Sequence, residues 1–498
     1  MTIVVALIFL GLTRAIFDLL RIRTSTALQL GVVREIRGKL LQHVLRISAS
    51  ALRTYPSGEL ASRVQVEVHG VRLLLYLGLS QGLRSLLVVT ALATLALRVD
   101  TALAIPALVA LPAVAVLVRF GVGPARRFQR ELLSAETEVI SRTTEAIDGA
   151  LVLRAYQAST ATARAVDEAA DASVRAGIRA ESWSVMLSPM VELLGAVAVA
   201  SALAVAWSTR SSVDVASAGT VLAAMVLLYR PLQGLAQATF AWWSGLATLD
   251  RIDELLALPV SPVSTSEDRT TSVQTLELER VSFAYADEPV LAEVTLQFET
   301  GELVVVCGES GSGKSTLLGI LGGILDPTRG EVTYDGQRAS AAKRAATAAW
   351  MSQTPQLFHG TVLENITLGD PKPSRGQALL AAERAGVDSF VHRRPGGFES
   401  LVADGGRNLS VGQRQRLTLA RALYRQAPIL LLDEPTAALG AEQEREVVQL
   451  CRAIADRGAL VVVASHREDF RRVADRVLEV RHARVHRSDQ GEDHVLLH

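Results

Sequence analysis

Residues 308–315 read GESGSGKS, which fits the pattern GxxxxGKS. The apolar run LVVVC at 303–307 predicts a strand before this loop, and residues 316–324 predict a helix after it. In that setting the glycines let successive backbone N–H groups surround phosphate at the helix N-terminus, while the lysine reaches the β- and γ-phosphates and the serine can ligate Mg2+. The loop therefore predicts a nucleoside-triphosphate site formed by Gly308, Glu309, Ser310, Gly311, Ser312, Gly313, Lys314, Ser315 and Thr316.

A second predicted strand, ILLL at 429–432, ends in two adjacent acids, Asp433 and Glu434. In an open α/β sheet the ligands bind at the carboxyl ends of the strands. We therefore expect Asp433 to hold Mg2+, directly or through water, together with Ser315, and Glu434 to orient and polarise the attacking water. Such an acid pair is often only solvated, but that interpretation does not explain the glycine-rich loop upstream.

Two further segments, LSVGQRQR at 409–416 and ASHR at 464–467, complete an ordered set of motifs. The set resembles the nucleotide-binding domain of ATP-binding cassette (ABC) transporters over residues 275 to about 480. The resemblance implies that ATP is held between two such domains. It also implies that Ser410, Gly412 and Gln413 contact the nucleotide of a partner chain.

The same resemblance implies roles for three single residues. Tyr285 would stack on adenine, Gln353 would ligate Mg2+ and contact the membrane domain, and His466 would contact the γ-phosphate. With Glu434, Gln353 and His466 make up the predicted catalytic set. Each residue type alone is more often a core, surface or capping residue, so the prediction depends on their order along the chain.

Two positions depart from the family pattern. The third residue of the signature is Val411 where glycine is usual, and the segment 437–440 reads AALG, with Gly440 where the family has an acid that couples the two ATP sites. We therefore expect ATP hydrolysis that is slow or unequal between the two sites.

The first half of the chain predicts a membrane domain. Hydrophobic residues make up 49% of the sequence and charged residues only 20%, which is too apolar for an ordinary soluble protein. Each candidate span is close to the roughly 20 apolar residues that a bilayer requires. The first lacks the basic start of a secretory signal. The predicted spans are 2–22, 80–98, 101–120, 184–207 and 217–245.

Charge asymmetry predicts the orientation. No Lys or Arg precedes Arg14, whereas five basic residues follow the first span, so the N-terminus should lie outside and the next loop inside. Five spans then leave the nucleotide-binding domain in the cytoplasm. The sequence thus predicts a multi-pass protein of the cell (plasma) membrane with the lipid bilayer as a partner.

Two inside segments resemble the coupling loops of exporter-type ABC proteins, TYPSGELASRV at 54–64 and the stretch 136–158. Those exporters have six spans, and here the first coupling segment follows the first span instead of the second. Either the start codon lies upstream or a partner supplies the missing helix, and the sequence does not decide between them.

The predicted fold class is an all-α polytopic membrane domain followed by an α/β P-loop NTPase domain of the ABC type. One chain holds one of each, so we expect a second half-transporter as partner, in a homodimer or a heterodimer. The 51 basic residues equal the 51 acidic ones and no basic aromatic tract occurs, which argues against nucleic acid as a partner. The predicted domains are 1–258 (membrane), 259–274 (linker), 275–482 (nucleotide-binding) and 483–498 (polar tail).

Ionisable residues at membrane depth are costly and mark candidate substrate contacts. Of these, Arg14 and Asp18 form an i, i+4 pair that can neutralise itself, and Arg230 beside Pro231 is the strongest candidate for lining a cavity. The others are Arg84 and Glu192.

The sequence favours an ATP-binding/permease half-transporter that exports a small molecule, lipid or peptide. The alternative is a catalytically weakened regulatory or scaffold partner in a heterodimer, which Gly440 and the missing span favour. LFHGTVLENITLGDP at 357–371, together with LSVGQ, also resembles the exporters of cysteine or glutathione that support cytochrome bd assembly. The transported substrate stays unknown.

Overall fold

The computed structural model describes the chain as two compact units. The N-terminal unit comprises 1–47 and 51–259, and the C-terminal unit comprises 48–50 and 260–498. Most of the coupling segment predicted at 54–64 and of the linker predicted at 259–274 lies outside the described residues. The residues described are 2–48, 51–52, 55, 60, 64, 68–208, 215–261, 272–285 and 288–487.

All the regular elements described in the N-terminal unit are helices, as predicted. Its long helices run far past the apolar segments of the sequence, and a π-helical segment, Leu74–Gln81, precedes α3. All five predicted spans lie within helical segments. The α-helices are α1 Thr2–Val44, α2 Val68–Leu73, α3 Gly82–Val99, α4 Thr101–Asp148, α5 Ala150–Ala155, α6 Ser159–Ser208 and α7 Val215–Leu256.

By length and composition, two helices in the described part of the chain, Gly70–Val99 and Gly219–Leu256, are long and apolar enough to cross a membrane. Pro189–Val205 is a shorter apolar helix. On α1, Asp18 lies 4.0 Å from Arg14 and 3.4 Å from Arg21, so the predicted ion pair is present there. The number of five spans stays a prediction.

Helices α3 and α7 pack closely because small residues face each other. A Cβ at Gly82 would lie 2.9 Å from the Cβ of Ala238, and a Cβ at Gly234 would overlap the hydroxyl of Ser85. Glycine at such contacts lets helix backbones approach, which is how helices associate when the solvent is as apolar as they are.

Large apolar side chains cover much of the outer surface of this unit. Phe9 and Phe17 on α1 are 70% and 73% exposed, and Leu227 on α7 is 62% exposed. Large exposed apolar patches mark contacts with membranes or with other proteins. The surface is therefore suited to contact with lipid or with another chain.

The C-terminal unit is an α/β domain built on two main sheets. Its strands are β1 Thr275–Tyr285, β2 Glu288–Glu299, β3 Leu303–Cys307, β4 Arg329–Tyr334, β5 Gln337–Arg338, β6 Ala348–Met351, β7 Gly360–Thr361, β8 Leu401–Val402, β9 Ile429–Asp433, β10 Leu460–Ala464, β11 Arg476–Arg481 and β12 Arg484–Arg487. Its helices are α8 Lys314–Leu321, α9 Ala341–Thr347, α10 Val362–Ile366, α11 Arg375–Arg384, α12 Asp388–Val391, α13 Val411–Tyr424, α14 Ala441–Ala455 and α15 Glu468–Val473.

The larger sheet positions the site. Its order is β12-β11-β3-β10-β9-β6, with β11, β3, β10, β9 and β6 parallel and β12 antiparallel to β11. Every residue of β3, β9 and β10 is buried because apolar clusters cover both faces of the sheet. A second, antiparallel sheet has the order β2-β1-β4-β5.

Strand β12 lies inside the segment predicted to be a polar tail. The sheet continues to Arg487, beyond the predicted domain end at residue 482. In β12 only Val485 is partly buried, so the strand has little of the apolar alternation that marks a strand in a sequence.

Candidate nucleotide-binding site

The carboxyl ends of four parallel strands meet at one edge of the larger sheet. Ala464 at the end of β10 is in register with Val306 of β3 and with Asp433 of β9. The segments that follow these strands carry the residues singled out from the sequence. Gly308 follows β3 and Glu434 follows β9. His466 lies just after β10, and Gln353 lies just after β6.

The loop after β3 requires glycine at two positions. Gly308 and Gly313 have φ angles of 141° and 110°, in the left-handed region that side chains disfavour. A Cβ at Gly308 would overlap the carbonyl oxygen of Val480, and one at Gly313 would lie 2.9 Å from Val290 Cγ1. The loop therefore holds its backbone in a tight curl that leads directly into α8.

The interior of this loop fits a phosphate. The Nζ of buried Lys314 donates to the carbonyl oxygens of Gly308 and Glu309, at 2.7 and 2.8 Å. The hydroxyl of Ser312 is buried and has no hydrogen-bond partner among the described residues. A buried polar atom without a partner is costly, and phosphate oxygens would supply acceptors to both side chains.

Helix α8 begins and ends earlier than the 316–324 predicted from the sequence. It starts at Lys314, so its first N–H groups belong to the loop itself, and it stops at Leu321. The cause of the stop is Gly322 followed by Gly323, whose φ of 68° cannot continue a right-handed helix.

Asp433 and Ser315 offer a pair of hard oxygen ligands. Asp433 is 3% exposed; burial raises the pKa of its carboxyl, and a hydrogen bond from Ser315 lowers it in part. No group of three or more His, Cys, Asp or Glu side chains suited to a metal occurs among the described residues. Mg2+ in nucleotide sites needs only one or two protein oxygens, since phosphates and water supply the rest, so this pair fits the ion.

Glu434 has a strained backbone that its neighbours hold in place. Its φ is 49°, which is uncommon for a residue with a side chain. Its N–H donates to the carbonyl of Ala464 at 2.9 Å, and its carboxylate accepts from Gln353 Nε2 at 3.3 Å. The structure thus brings together two residues that lie 81 positions apart in the sequence.

Gln415, on α13, was missed by the sequence analysis. Its side chain is 3% exposed; Nε2 donates to the carbonyl of Glu434 at 2.7 Å, and Oε1 accepts from the N–H of Ala438 at 3.0 Å. It therefore fixes both the strained glutamate and the loop that follows it. The available signal was a second glutamine just after the signature, on a helix with an apolar buried face.

The signature segment begins α13 with a capping box. Ser410 Oγ accepts from the N–H of Gln413 at 3.2 Å, and Gln413 Oε1 accepts from the N–H of Ser410 at 3.0 Å. Val411 is 51% exposed, whereas a Cβ at Gly412 would lie 3.0 Å from the carbonyl oxygen of Ala438. The valine thus fits at its position, and a side chain at Gly412 would be in tight contact with the backbone of Ala438. A nucleotide contact of Ser410, Gly412 or Gln413 stays a prediction.

Tyr285 and His466 border the site from two further elements. Tyr285 ends β1; its hydroxyl lies 3.4 Å from Thr316 Oγ1, and its ring packs edge-on to Phe283 at 4.8 Å between centroids. His466 follows β10 and is exposed. Their contacts with adenine and with γ-phosphate stay predictions.

Comparison with known proteins places both halves of the chain. The family model described as the ABC transporter transmembrane region matches residues 1–232, and the model described as ABC transporter matches residues 291–437. A solved structure of a bacterial Atm1-family ABC exporter with ATP bound superposes with a TM-score of 0.86 at 22% sequence identity. The match includes 95% of this chain and 84% of the exporter chain. That likeness concerns the fold.

Curated relatives match along most of the chain. The ATP-dependent lipid A-core flippase of Desulfotalea psychrophila is 29% identical over 479 residues, which is 94% of this chain and 82% of the relative. The mycobactin import ATP-binding/permease protein IrtB of Mycolicibacterium thermoresistibile is 34% identical over 365 residues, 71% of this chain and 62% of the relative.

These matches confirm the predicted fold class and the order of the domains. They also confirm a membrane location, ATP binding and an ATPase coupled to transport, as predicted. A single chain contains one membrane region and one ATPase domain, so it works with a second ABC subunit. The chain belongs to the ABC transporter family, as an exporter-type ATP-binding/permease half-transporter.

Proposed function

We propose that this half-transporter hydrolyses Mg2+-ATP on the cytoplasmic side and moves an amphipathic molecule or lipid outward across the cell membrane. The observation that carries the proposal is the convergence at one sheet edge of buried Lys314, the Ser315–Asp433 pair and Glu434 bound to Gln353. A sheet edge with these groups has a place for phosphate, a place for a divalent cation and a base for water.

Each residue has a distinct role in the proposed cycle. Lys314 would leave the carbonyls of Gly308 and Glu309 for the phosphate oxygens of ATP. Backbone N–H groups of the same loop would donate to those phosphate oxygens as well. Mg2+, held by Ser315 and Asp433 with Gln353 nearby, would offset the charge on the β- and γ-phosphates. Glu434 would take the proton of the attacking water, and His466 would contact the γ-phosphate.

The partner subunit would complete each site. Ser410 and Gly412 lie at the exposed N-terminus of α13, where backbone N–H groups and the helix dipole favour an anion. We propose that this end closes over the γ-phosphate held by the other chain, with Tyr285 stacked on the adenine. ATP would then join two ATPase domains, and hydrolysis would release them.

A short helix between the two longest ones supports mechanical coupling. Helix α5 separates α4 from α6, and it exposes Leu151 by 80%, Val152 by 60% and the following Tyr156 by 81%. Apolar side chains at the end of a helical hairpin are suited to a groove on another domain. We propose that α5 is the second coupling segment that the sequence indicated at 136–158.

The proposed substrate class follows from the relatives. The flippases are named for lipid A-core, so the proposed substrate is a lipid or a lipid-like amphipathic molecule. Because IrtB is named for import, the outward direction is part of the proposal and needs its own measurement in oriented vesicles.

A second candidate is a regulatory subunit that binds ATP and scaffolds a fully active partner. Gly440 favours it, since the loop before α14 lacks the acid expected there. Intact Lys314, Asp433 and Glu434 favour turnover by this chain itself.

One assay separates these candidates. The purified full chain in nanodiscs should show vanadate-sensitive ATPase, and Glu434→Gln should lower its kcat by at least ~100-fold, the usual contribution of a general base, while ATP still binds. Glu446→Gln, an exposed acid on α14, is the matched control and should keep full activity. ATP binding without hydrolysis in the unmodified chain would support the regulatory candidate.

A further inference from the structure

Glu192 is a charged side chain deep in a predicted span. On α6 it stands ~12 Å from one end of the segment 184–207 and ~22 Å from the other, at 1.5 Å per residue. Its side chain is exposed in the single chain. A carboxylate at that depth is costly in lipid, so it is expected to face the bundle interior or a water-filled cavity.

One hydroxyl from α7 lies near this carboxylate. The amide of Gln233 donates to the hydroxyl of Tyr229, and the Glu192 carboxylate lies close enough to that hydroxyl to interact with it. Gly195, on the same helix as Glu192, lies beside the ring, since a Cβ there would be in ordinary contact with Tyr229 Cδ2 at 4.0 Å. The carboxylate of Glu192 keeps acceptor capacity on its exposed side.

In the described part of the chain, no basic side chain pairs with this glutamate. Within the described residues, no Lys, Arg or His nitrogen lies within 4.0 Å of the carboxylate oxygens of Glu192. Arg230 follows Tyr229 directly, but successive residues of a helix are about 100° apart, which turns Arg230 away from the face shared by Tyr229 and Gln233.

Each of the two helices that carry the cluster also contains a proline. Pro189 lies inside α6, three residues before Glu192, and Pro231 lies inside α7 between Tyr229 and Gln233. Proline has no N–H, so the carbonyls of Val185 and Leu227 lose the donors that a regular helix would give them. Freed carbonyls at membrane depth are suited to cations.

We propose that Glu192, Tyr229 and Gln233 form a subsite for a lipophilic organic cation in the membrane domain. The carboxylate supplies the opposite charge, the face of Tyr229 supplies a cation–π contact, and the surrounding apolar helices accept the rest of the molecule. This inference rests on the proposed transport function, because it names a chemical class for the transported molecule.

Tetraphenylphosphonium and tetraphenylborate test the subsite, since the two ions have nearly the same shape and opposite charge. Binding of each is measured with an ion-selective electrode on full-length protein in nanodiscs, with empty nanodiscs subtracted. The cation should bind at least about ten-fold more tightly than the anion, and Glu192→Gln should weaken cation binding about ten-fold. Tyr229→Phe, which keeps the ring, should weaken it less.

Glu168→Gln, an exposed acid on the same helix, should leave cation binding unchanged. Equal binding of both ions, or unaltered cation binding by Glu192→Gln, would overturn the proposal. So would a loss of dimer on Glu192→Gln, because the carboxylate would then pair with a cation of the second copy. Basal ATPase in the same samples tests the proposed function separately, since the electrode reports binding without turnover.

Discussion

Asp433 shows how a functional residue lowers stability at the level of one side chain. Burial raises the pKa of its carboxyl above the ordinary 3.8, so the folded chain binds that proton more tightly than the unfolded chain does. The free energy of unfolding therefore falls as the pH rises from the unfolded-state pKa through the raised folded-state value. At neutral pH the nucleotide-free domain carries a buried charge that Ser315 and Lys314 offset only in part.

We predict that Asp433→Asn stabilises the nucleotide-free chain while it removes Mg2+-dependent ATPase. The gain should be about 1 kcal/mol, the cost of one poorly satisfied buried polar group, and it should be larger at pH 8 than at pH 5. Thermal unfolding in nanodiscs, followed by tryptophan fluorescence, measures it. Asp404→Asn, at an exposed acid, should not change the Tm. An equal or lower Tm for Asp433→Asn at both pH values would contradict the argument.

Motif spacing predicted which residues meet at this edge, because parallel strands bring their carboxyl ends together whatever the loops between them contain. The convergence of Lys314, Asp433, Glu434 and Gln353 follows from that rule. The role of Gln415 could not be predicted in this way. Its partners are backbone groups of Glu434 and Ala438, whose positions depend on how α13 lies beside the loop after β9. The capping box of Ser410 and Gln413, by contrast, is a local pattern that the sequence contains.

At the level of elements, the loop before α14 has room for a side chain at the position of Gly440. Gly440 is the N-cap of α14, with φ −76° and ψ 164°, and no atom lies within 4 Å of the position of a Cβ. Any residue can adopt that backbone conformation, and Asp and Ser are good N-caps.

We predict that Gly440→Asp is tolerated, raises the free energy of unfolding by a few tenths of a kcal/mol, and increases ATPase several-fold by restoring an acid between the two sites. Denaturant unfolding and steady-state ATPase measure the two effects. Gly440→Ser is the control, because it caps α14 without a charge. If Gly440→Ser raises the ATPase rate as much as Gly440→Asp does, the increase comes from helix capping and not from coupling between the two ATP sites.

Element boundaries were the weakest part of the sequence prediction. Helix α8 starts two residues early because the glycine loop enters it directly, and β12 was missed because its exposed face and edge position leave no apolar alternation. Neither feature depends on the local composition that a sequence pattern reports. Both depend on what packs beside the segment.

For the whole molecule, the order of membrane region and ATPase domain was predictable from composition and motifs alone. The number of spans, five from the sequence, stays a prediction. Two helices in the described residues meet the length and composition expected of a span, and Arg14, Asp18 and Arg21 lower the apolar character of α1. Charged residues lower the apolar character of a span, and at membrane depth they mark candidate functional positions.

We predict that Mg2+-ATP brings the ATPase domains of two copies together when hydrolysis is blocked. A spin label at Gln377→Cys, on exposed α11, should give a shorter and narrower distance distribution between copies in the Glu434→Gln chain with ATP than without it. Cys307 and Cys451 are both buried, so they should react slowly with the label. Lys314→Ala in the same background should abolish the change, and a distribution that ignores ATP would count against a nucleotide-joined dimer.

The buried amide of Gln415 bears on the order in which the two ATP sites act. It donates a hydrogen bond to the carbonyl of Glu434 from α13, the helix that begins just after Ser410. In the proposed dimer, Ser410 closes on the nucleotide of the other chain, so a single helix senses one catalytic centre and adjusts the base of another. Departure of phosphate on one side would shift α13 and disturb the glutamate on the opposite side. The two sites are then expected to hydrolyse ATP alternately, so that one hydrolyses ATP while the other exchanges its nucleotide.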